Sequence, residues 1–184
     1  MHSKEKLIAM DKGLNKSIDK IIFLDIDHVL TNTDLDNSSF RHLNPDAYQL
    51  SKINLKWLDK ILDETQSKIV IASNWRKFKF PNIAWNYNGK MYFSLLEPFK
   101  RLYRNYVIGT LPPERHISKC KCLDLWFEIN GWFSKTNSKY VILEDDLNEG
   151  YQNDPIFIKH LILTDYHVGL TENDANKAIS FLNN

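Results

Sequence analysis

The sequence predicts an α/β domain, with a mostly parallel central sheet of about five strands and helices on both of its faces. Three observations predict it. Short apolar runs recur at residues 21–24, 68–72, 106–108, 140–143 and 161–163. Stretches with helical spacing of apolar residues separate most of these runs, the alternation that builds parallel sheets. The runs are rich in Ile, Val and Leu at consecutive positions, as in strands covered on both sides.

Taken in order, residues 1–19 are charged, lack the apolar core of a signal peptide, and read as a lead-in to one domain over 20–184. Ile21-Ile22-Phe23-Leu24 is the first strand. A polar, turn-rich loop over 31–44 follows, long enough to be functional. The spacing predicts a helix over 45–66, with Asn44 as cap, Pro45 in its first turn and Leu50, Ile53, Trp57, Leu58 and Ile61 as its apolar stripe. The second strand covers 68–72. Residues 75–91, with Pro81, Asn88 and Gly89, read as irregular. A helix is expected over 93–104, a third strand ending at Gly109-Thr110, and a helix over 119–128 stopped near Gly131. The fourth strand ends in Glu144-Asp145-Asp146 and the fifth covers 161–163. A closing helix starts at its cap, Thr171, with Ala175, Ala178, Ile179 and Leu182 facing inward.

Composition narrows the class of protein. Across 184 residues, 43% are hydrophobic and 26% charged, which suits one globular domain with a substantial core. A formal net charge of +1 gives no overall pull toward nucleic acid or anionic membrane, so such a partner would need a local patch. No apolar run approaches the roughly 20 residues of a membrane span. The two cysteines, Cys120 and Cys122, are too close together to staple a fold and fit a reducing cytosol. The expectation is a cytoplasmic protein with no membrane partner.

Ligands of parallel sheets sit beyond the carboxyl ends of the strands, and that is where the reactive side chains fall. Strand one ends in Asp25-Ile26-Asp27, whose paired carboxylates require a divalent cation, a shared proton or water between them. Strand two ends in Ser73, and strand four in an acidic triplet. The helix before strand four opens with Ser118-Lys119-Cys120-Lys121. Acids for a metal, a hydroxyl and a lysine in one place are what phosphoryl transfer needs. Oxygen donors without a histidine pair favour a hard cation, hence Mg2+.

The chain resembles the haloacid dehalogenase-like (HAD) phosphohydrolase superfamily, whose four motifs occur here in order. They are Asp25-Ile26-Asp27-His28-Val29-Leu30-Thr31, then Ile69-Val70-Ile71-Ala72-Ser73, then Lys119, then Val141-Ile142-Leu143-Glu144-Asp145-Asp146. More narrowly, Ser73-Asn74-Trp75-Arg76, Trp126-Phe127, the fourth motif and Gly169-Leu170-Thr171 resemble the phosphatase domain of "Swiss army knife" RNA repair proteins. The resemblance implies a Rossmann-like HAD fold and a phosphohydrolase. Asp25 would be the nucleophile, Asp27 the acid and base, Ser73 a phosphoryl ligand and Lys119 the stabilising cation, with Lys121 as the alternative. Mg2+ would sit between Asp25, the main-chain carbonyl of Asp27 and the acids Glu144 and Asp145. Asn74, Arg76 and His28 are the candidate substrate-binding residues.

Three departures from the family pattern stand out, one of them Asn74 after Ser73, where the narrower group often has another serine. His28 replaces the usual glycine after the second aspartate, so the loop either accepts a negative φ or uses the ring, against the blander reading of a solvent-facing replacement. Glu144 replaces the usual aspartate, which makes Asp145 the candidate principal ligand. No segment is large enough for a full cap domain, so a capless or minimally capped, open site is expected. An open site suits a large phosphorylated substrate such as a nucleic-acid end; Trp75-Arg76-Lys77-Phe78-Lys79-Phe80 beside it either interleaves stacking and phosphate-binding residues or, the blander reading, packs Trp75, Phe78 and Phe80 into the core with its lysines solvated. The alternatives are a phosphoprotein or nucleotide phosphatase, a receiver-like phosphoacceptor, and a silent HAD-like binding module.

Overall fold

The sheet has five strands in the order β5-β2-β1-β6-β7, all parallel. They are β1 (Lys20–Leu24), β2 (Lys68–Ile71), β5 (Val107–Thr110), β6 (Lys139–Glu144) and β7 (Leu161–Leu163). A separate antiparallel pair is formed by β3 (Trp85–Tyr87) and β4 (Lys90–Tyr92). The helices are α1 (Lys52–Thr65), α2 (Leu96–Leu102), α3 (Lys119–Ile129), α4 (Phe157–His160) and α5 (Glu172–Asn183). The computed structural model describes residues 18–31, 50–74, 85–87, 90–92, 96–113 and 116–184.

Side chains of a strand alternate between its two faces, and the central strands are buried on both. Ile22 and Leu24 of β1 join Ile69, Ile71, Val141 and Leu143 in a core covered by α1, α2 and α5, including Leu58, Phe99, Ala175 and Leu182. Ile21 and Phe23 point the other way, with Val70, Tyr140 and Ile142, into a core shared with Leu123, Trp126 and Phe127 of α3. Phe23 meets Trp126 edge-on at 5.0 Å, an arrangement favoured by the ring quadrupoles. The apolar runs of β1, β2 and β6 are continuous because neither face of these central strands meets water, whereas Leu163 of the edge strand β7 is exposed.

Two expected elements differ in detail. The first helix begins at Lys52: Ser51 is extended (φ −65°, ψ 122°), and its side chain caps the helix by accepting from the Asn54 amide. Asn44 and Pro45, expected to start it, lie outside the described residues. The helix's inward face is Asn54, Leu58, Ile61, Leu62 and Thr65, while Ile53 is 66% exposed. Asn54 goes inward because its amide has work there, donating to the carbonyls of Val168 (3.0 Å) and Leu170 (2.8 Å). The stretch expected to be irregular over 75–91 takes in β3 and all of β4 but its last residue, Tyr92. Asn88-Gly89 between two short runs is itself the strongest local hairpin signal. The expected cap size and the aromatic-basic segment turn on residues 32–49 and 75–84, outside the described residues. So does most of the expected lead-in, although Ile18 packs against the α3-side core. No helix among the described residues is long and apolar enough to cross a membrane.

Lys135 ties the α3 face to the chain beyond β6. Its ammonium donates to Asp124 at 2.6 Å and Asp154 at 2.8 Å and lies 3.8 Å from the Phe157 ring centroid. Burial works against ionisation of Asp154, but hydrogen bonds from Lys135, Phe157 and Ile156 outweigh it and hold the carboxyl below its usual range. Such a contribution is present above the ordinary carboxylate pKa and lost as pH falls through the lowered one. Lys135→Ala is expected to cost ~1–2 kcal/mol near pH 7. Urea melts of the two proteins should draw closer in strong acid, where Asp154 is protonated in both, with the contact of Lys135 on the Phe157 ring accounting for the difference that stays.

Candidate active site

Strand register brings the sequence motifs to one line. Leu24 is level with Ile71 on one side and Leu143 on the other. The ladder carries on one step, with the Ala72 amide donating to Leu24 (2.7 Å) and the Asp25 amide to Leu143 (3.0 Å). Asp25 therefore stands beside Glu144, with Ser73 just past the end of β2. Alternation then decides the face. Asp25 continues the row Ile21, Phe23, and Glu144 continues Tyr140, Ile142, so both carboxylates fall on the side covered by α3.

On that side α3 begins. Ser118 caps it, accepting from the Lys121 amide, and Lys119 is its first residue. The Lys119 ammonium donates to Asp25 Oδ2 and to both oxygens of Glu144, Oε1 at 2.9 Å and Oε2 at 2.8 Å. All three residues are buried: Lys119 is 2% exposed, Asp25 3% and Glu144 0%. Lys121, two positions on, is exposed, since residues two apart do not share a helix face.

Burial alone would drive all three groups toward neutrality, and it is the largest single influence on each. Asp25 nonetheless sits below the ordinary carboxylate range, because the Lys119 charge and the hydrogen bonds around it outweigh desolvation. Lys119 is raised in turn by Asp25 and Glu144, so its cationic form is favoured. Glu144 is shifted upward by burial and by the Asp25 charge, opposed by Lys119. Its oxygens also accept from the amides of Asp145 (3.2 Å) and Asp146 (3.3 Å) and from the Tyr151 hydroxyl (3.4 Å).

The acids form a set that fits a hard cation. Oxygens of Asp25, Glu144 and Asp145 lie within 4.8 Å of one another. Glu144 is committed to Lys119, so the half-buried Asp145 is the carboxylate best placed to share an ion with Asp25. Burial and the Asp25 charge raise the Asp145 pKa, a strain that a divalent ion between the two would relieve. The Asp27 carboxylate is not part of this cluster among the described residues. A second cluster, Cys120, Asp124 and Asp154, has both of its acids already paired with Lys135. Burial, then those acids, push the Cys120 thiol up to about 11, away from thiolate.

The loop after β1 is closed by the chain between β7 and α5. The Leu30 amide donates to Ile26 (2.9 Å), and the His28 amide donates to Thr31 Oγ1 (2.9 Å). His28 has φ +53°, so this turn keeps the left-handed backbone that glycine would supply. Its ring is half-buried and stacked on Tyr166, with centroids 3.8 Å apart, not turned freely to solvent. Thr164 Oγ1 donates to the His28 carbonyl (3.2 Å), and the Leu170 amide to Val29 (2.8 Å).

Of the predicted site residues, Asp25, Lys119, Glu144 and Asp145 come together directly. Ser73 is fully buried at the end of β2, Asp27 is half-buried at the start of the turn, and Arg76 lies outside the described residues. Asn74 reaches the site through a residue that sequence reasoning missed. Glu149 accepts from Asn74 Nδ2 (3.2 Å) with one oxygen and from the Lys119 amide (3.0 Å) with the other, fastening the end of β2 to the start of α3. Tyr151 and Tyr166 were also missed, and no motif marks any of the three.

Comparison with curated proteins and with solved structures finds no match. A family model described as "HAD domain in Swiss Army Knife RNA repair proteins" matches residues 21–175, which takes in all four motifs and the loop that closes on the first of them. With that span and the level strand ends, the chain belongs to this family of HAD domains.

Proposed function

We propose that the protein is a Mg2+-dependent phosphohydrolase that cleaves a phosphomonoester at a polynucleotide end through an aspartyl-phosphate on Asp25. The observation that carries this reading is a buried carboxylate, Asp25, kept ionised by Lys119 at the carboxyl edge of a parallel sheet. Asp25 attacks phosphorus in line, and the ester P–O bond breaks as the aspartyl O–P bond forms. Asp27 gives its proton to the departing oxygen. Water then attacks phosphorus and passes a proton to Asp27, the aspartyl–phosphate bond opens, and inorganic phosphate leaves. Ser73 and Lys119 hold the phosphoryl oxygens, with Glu144 and Glu149 keeping Lys119 in place. Mg2+, held by Asp25, Asp145 and the Asp27 main chain, would offset the charge of carboxylate and phosphate brought together. Support for a polynucleotide end comes from the family's description and from Trp75-Arg76-Lys77-Phe78-Lys79-Phe80 following Asn74.

The test is phosphate release from an aryl phosphate with and without magnesium, followed by phosphorylated RNA and DNA ends, nucleotides and phosphopeptides. Asp25→Asn is expected to lose roughly 1,000-fold or more in kcat, while the fold survives. Turnover that persists in this variant would remove Asp25 as nucleophile. Silence across the whole panel with magnesium still bound would leave the binding-module reading in its place.

A further inference from the structure

We propose that Tyr166 and His28 form a stacking shelf for the base of the leaving group, so that the substrate unit is a phosphorylated nucleoside, free or at a strand end. This rests on the phosphohydrolase reading above and deepens it.

His28 directly follows Asp27, the residue that meets the departing oxygen, so whatever carries that oxygen passes the His28 side of the loop. A glycine would adopt the left-handed turn there without strain, yet an imidazole occupies it. The imidazole lies against Tyr166 with an interplanar angle of 25°. Tyr166 is 50% exposed, so the ring is held flat by His28 while much of it remains open. His167 meets it edge-on at 5.3 Å.

The shelf is rigid where the site is rigid. The His28 amide is tied to Thr31 and its carbonyl to Thr164, while the far end of the Tyr166 loop is tied to Val29 through Leu170. Asp165, next to Tyr166, is occupied by the amides of His167 and Val168. His28 Nδ1 is buried without a hydrogen-bond partner among the described residues, so this ring nitrogen does not tie the imidazole away from Tyr166. Flat, rigid aromatic surface of this kind binds bases regardless of sequence, because every base has a π-face. A phosphotyrosine ring would be bonded straight to the ester oxygen, whereas a base lies a sugar away. Tyr166 sits one stacked ring beyond the residue next to Asp27, which suits the longer reach.

The probes are an oligonucleotide whose terminal phosphorylated nucleoside is 2-aminopurine, and the free 2-aminopurine nucleoside monophosphate. Both are titrated against Asp25→Asn protein so that neither is consumed. Stacking should quench their fluorescence. Adding Tyr166→Ala should weaken binding about ten- to a hundredfold, Tyr166→Phe should retain it, and His28→Gly should weaken it as well. In the active protein, Tyr166→Ala should lower the ratio of kcat/KM for a nucleotide over ribose 5-phosphate by a similar factor. Binding of either probe through Tyr166 supports the shelf, and the tighter one identifies the source of the nucleoside. Equal quenching and affinity in Tyr166→Ala, an unchanged ratio, or a Tyr166-dependent preference for a phosphotyrosine peptide would overturn it. Phosphate release without quenching removes the shelf and leaves the hydrolase. Quenching through Tyr166 with no phosphate release from any ester removes the hydrolase and leaves the shelf.

Discussion

Lys119→Met is expected to destabilise the protein by about 3–5 kcal/mol and to abolish phosphate release. The substitution removes the cation between Asp25 and Glu144, both essentially without solvent access, and leaves two carboxylates facing each other in the core. Most of the loss is the cost of an uncompensated buried charge, not the net worth of the ion pair. For a chain of this size the shift in Tm should be ~10 °C, read by thermal melting. Lys121→Met, at an exposed position on the same helix turn, should stay within about 0.5 kcal/mol and keep its activity. Magnesium should raise the Tm of Lys119→Met more than that of the wild type, because the ion would sit among acids that have lost their lysine. Equal loss of activity in the two lysine variants would contradict the distinct positions of their side chains.

Gly169→Ala is expected to cost about 3 kcal/mol, from the strained backbone and the crowding together. A methyl group there would lie 2.8 Å from Asn54 Nδ2 and 2.9 Å from each of the carbonyls of Val29 and Thr31, at a φ of +75°. Two of those atoms are backbone of the Asp25–Thr31 loop, so the strain is delivered to the turn carrying Asp27 and His28. Urea denaturation should show the stability loss. Phosphate release should fall as well, at temperatures where the variant is still folded, since the loop cannot keep its geometry and admit the methyl. Gly131, which has open space around it, provides the comparison: Gly131→Ala should be close to neutral.

Much of this arrangement is legible in the residues. The five apolar runs are the five sheet strands, and Asp25, Ser73 and Glu144 can be placed at their ends from chain order alone. That legibility has a local cause, because an apolar run that stops at a polar residue marks both a strand and its exit from the core. Helix starts are less readable. Ser51 caps α1, not Asn44, because the backbone at Ser51 is extended, and several residues in that stretch are equally good caps by type. The inward turn of Asn54 over Ile53 depends on the carbonyls of Val168 and Leu170, more than a hundred positions away.

Hydrophobic periodicity and short-range spacing are enough to specify the parallel α/β sheet and the acids at its strand ends, and the resemblance to the family rests on short motifs at those same ends. Packing in three dimensions decides that Lys119 and not Lys121 reaches Asp25, that both oxygens of Glu144 accept from that lysine, that Glu149 joins Asn74 to the start of α3, and that Tyr166 stacks on His28. The reason is the phase of α3 and the closure of two loops. One residue along a helix turns a side chain by about 100°, and whether that points to Asp25 or to water is set by how the helix packs on the sheet.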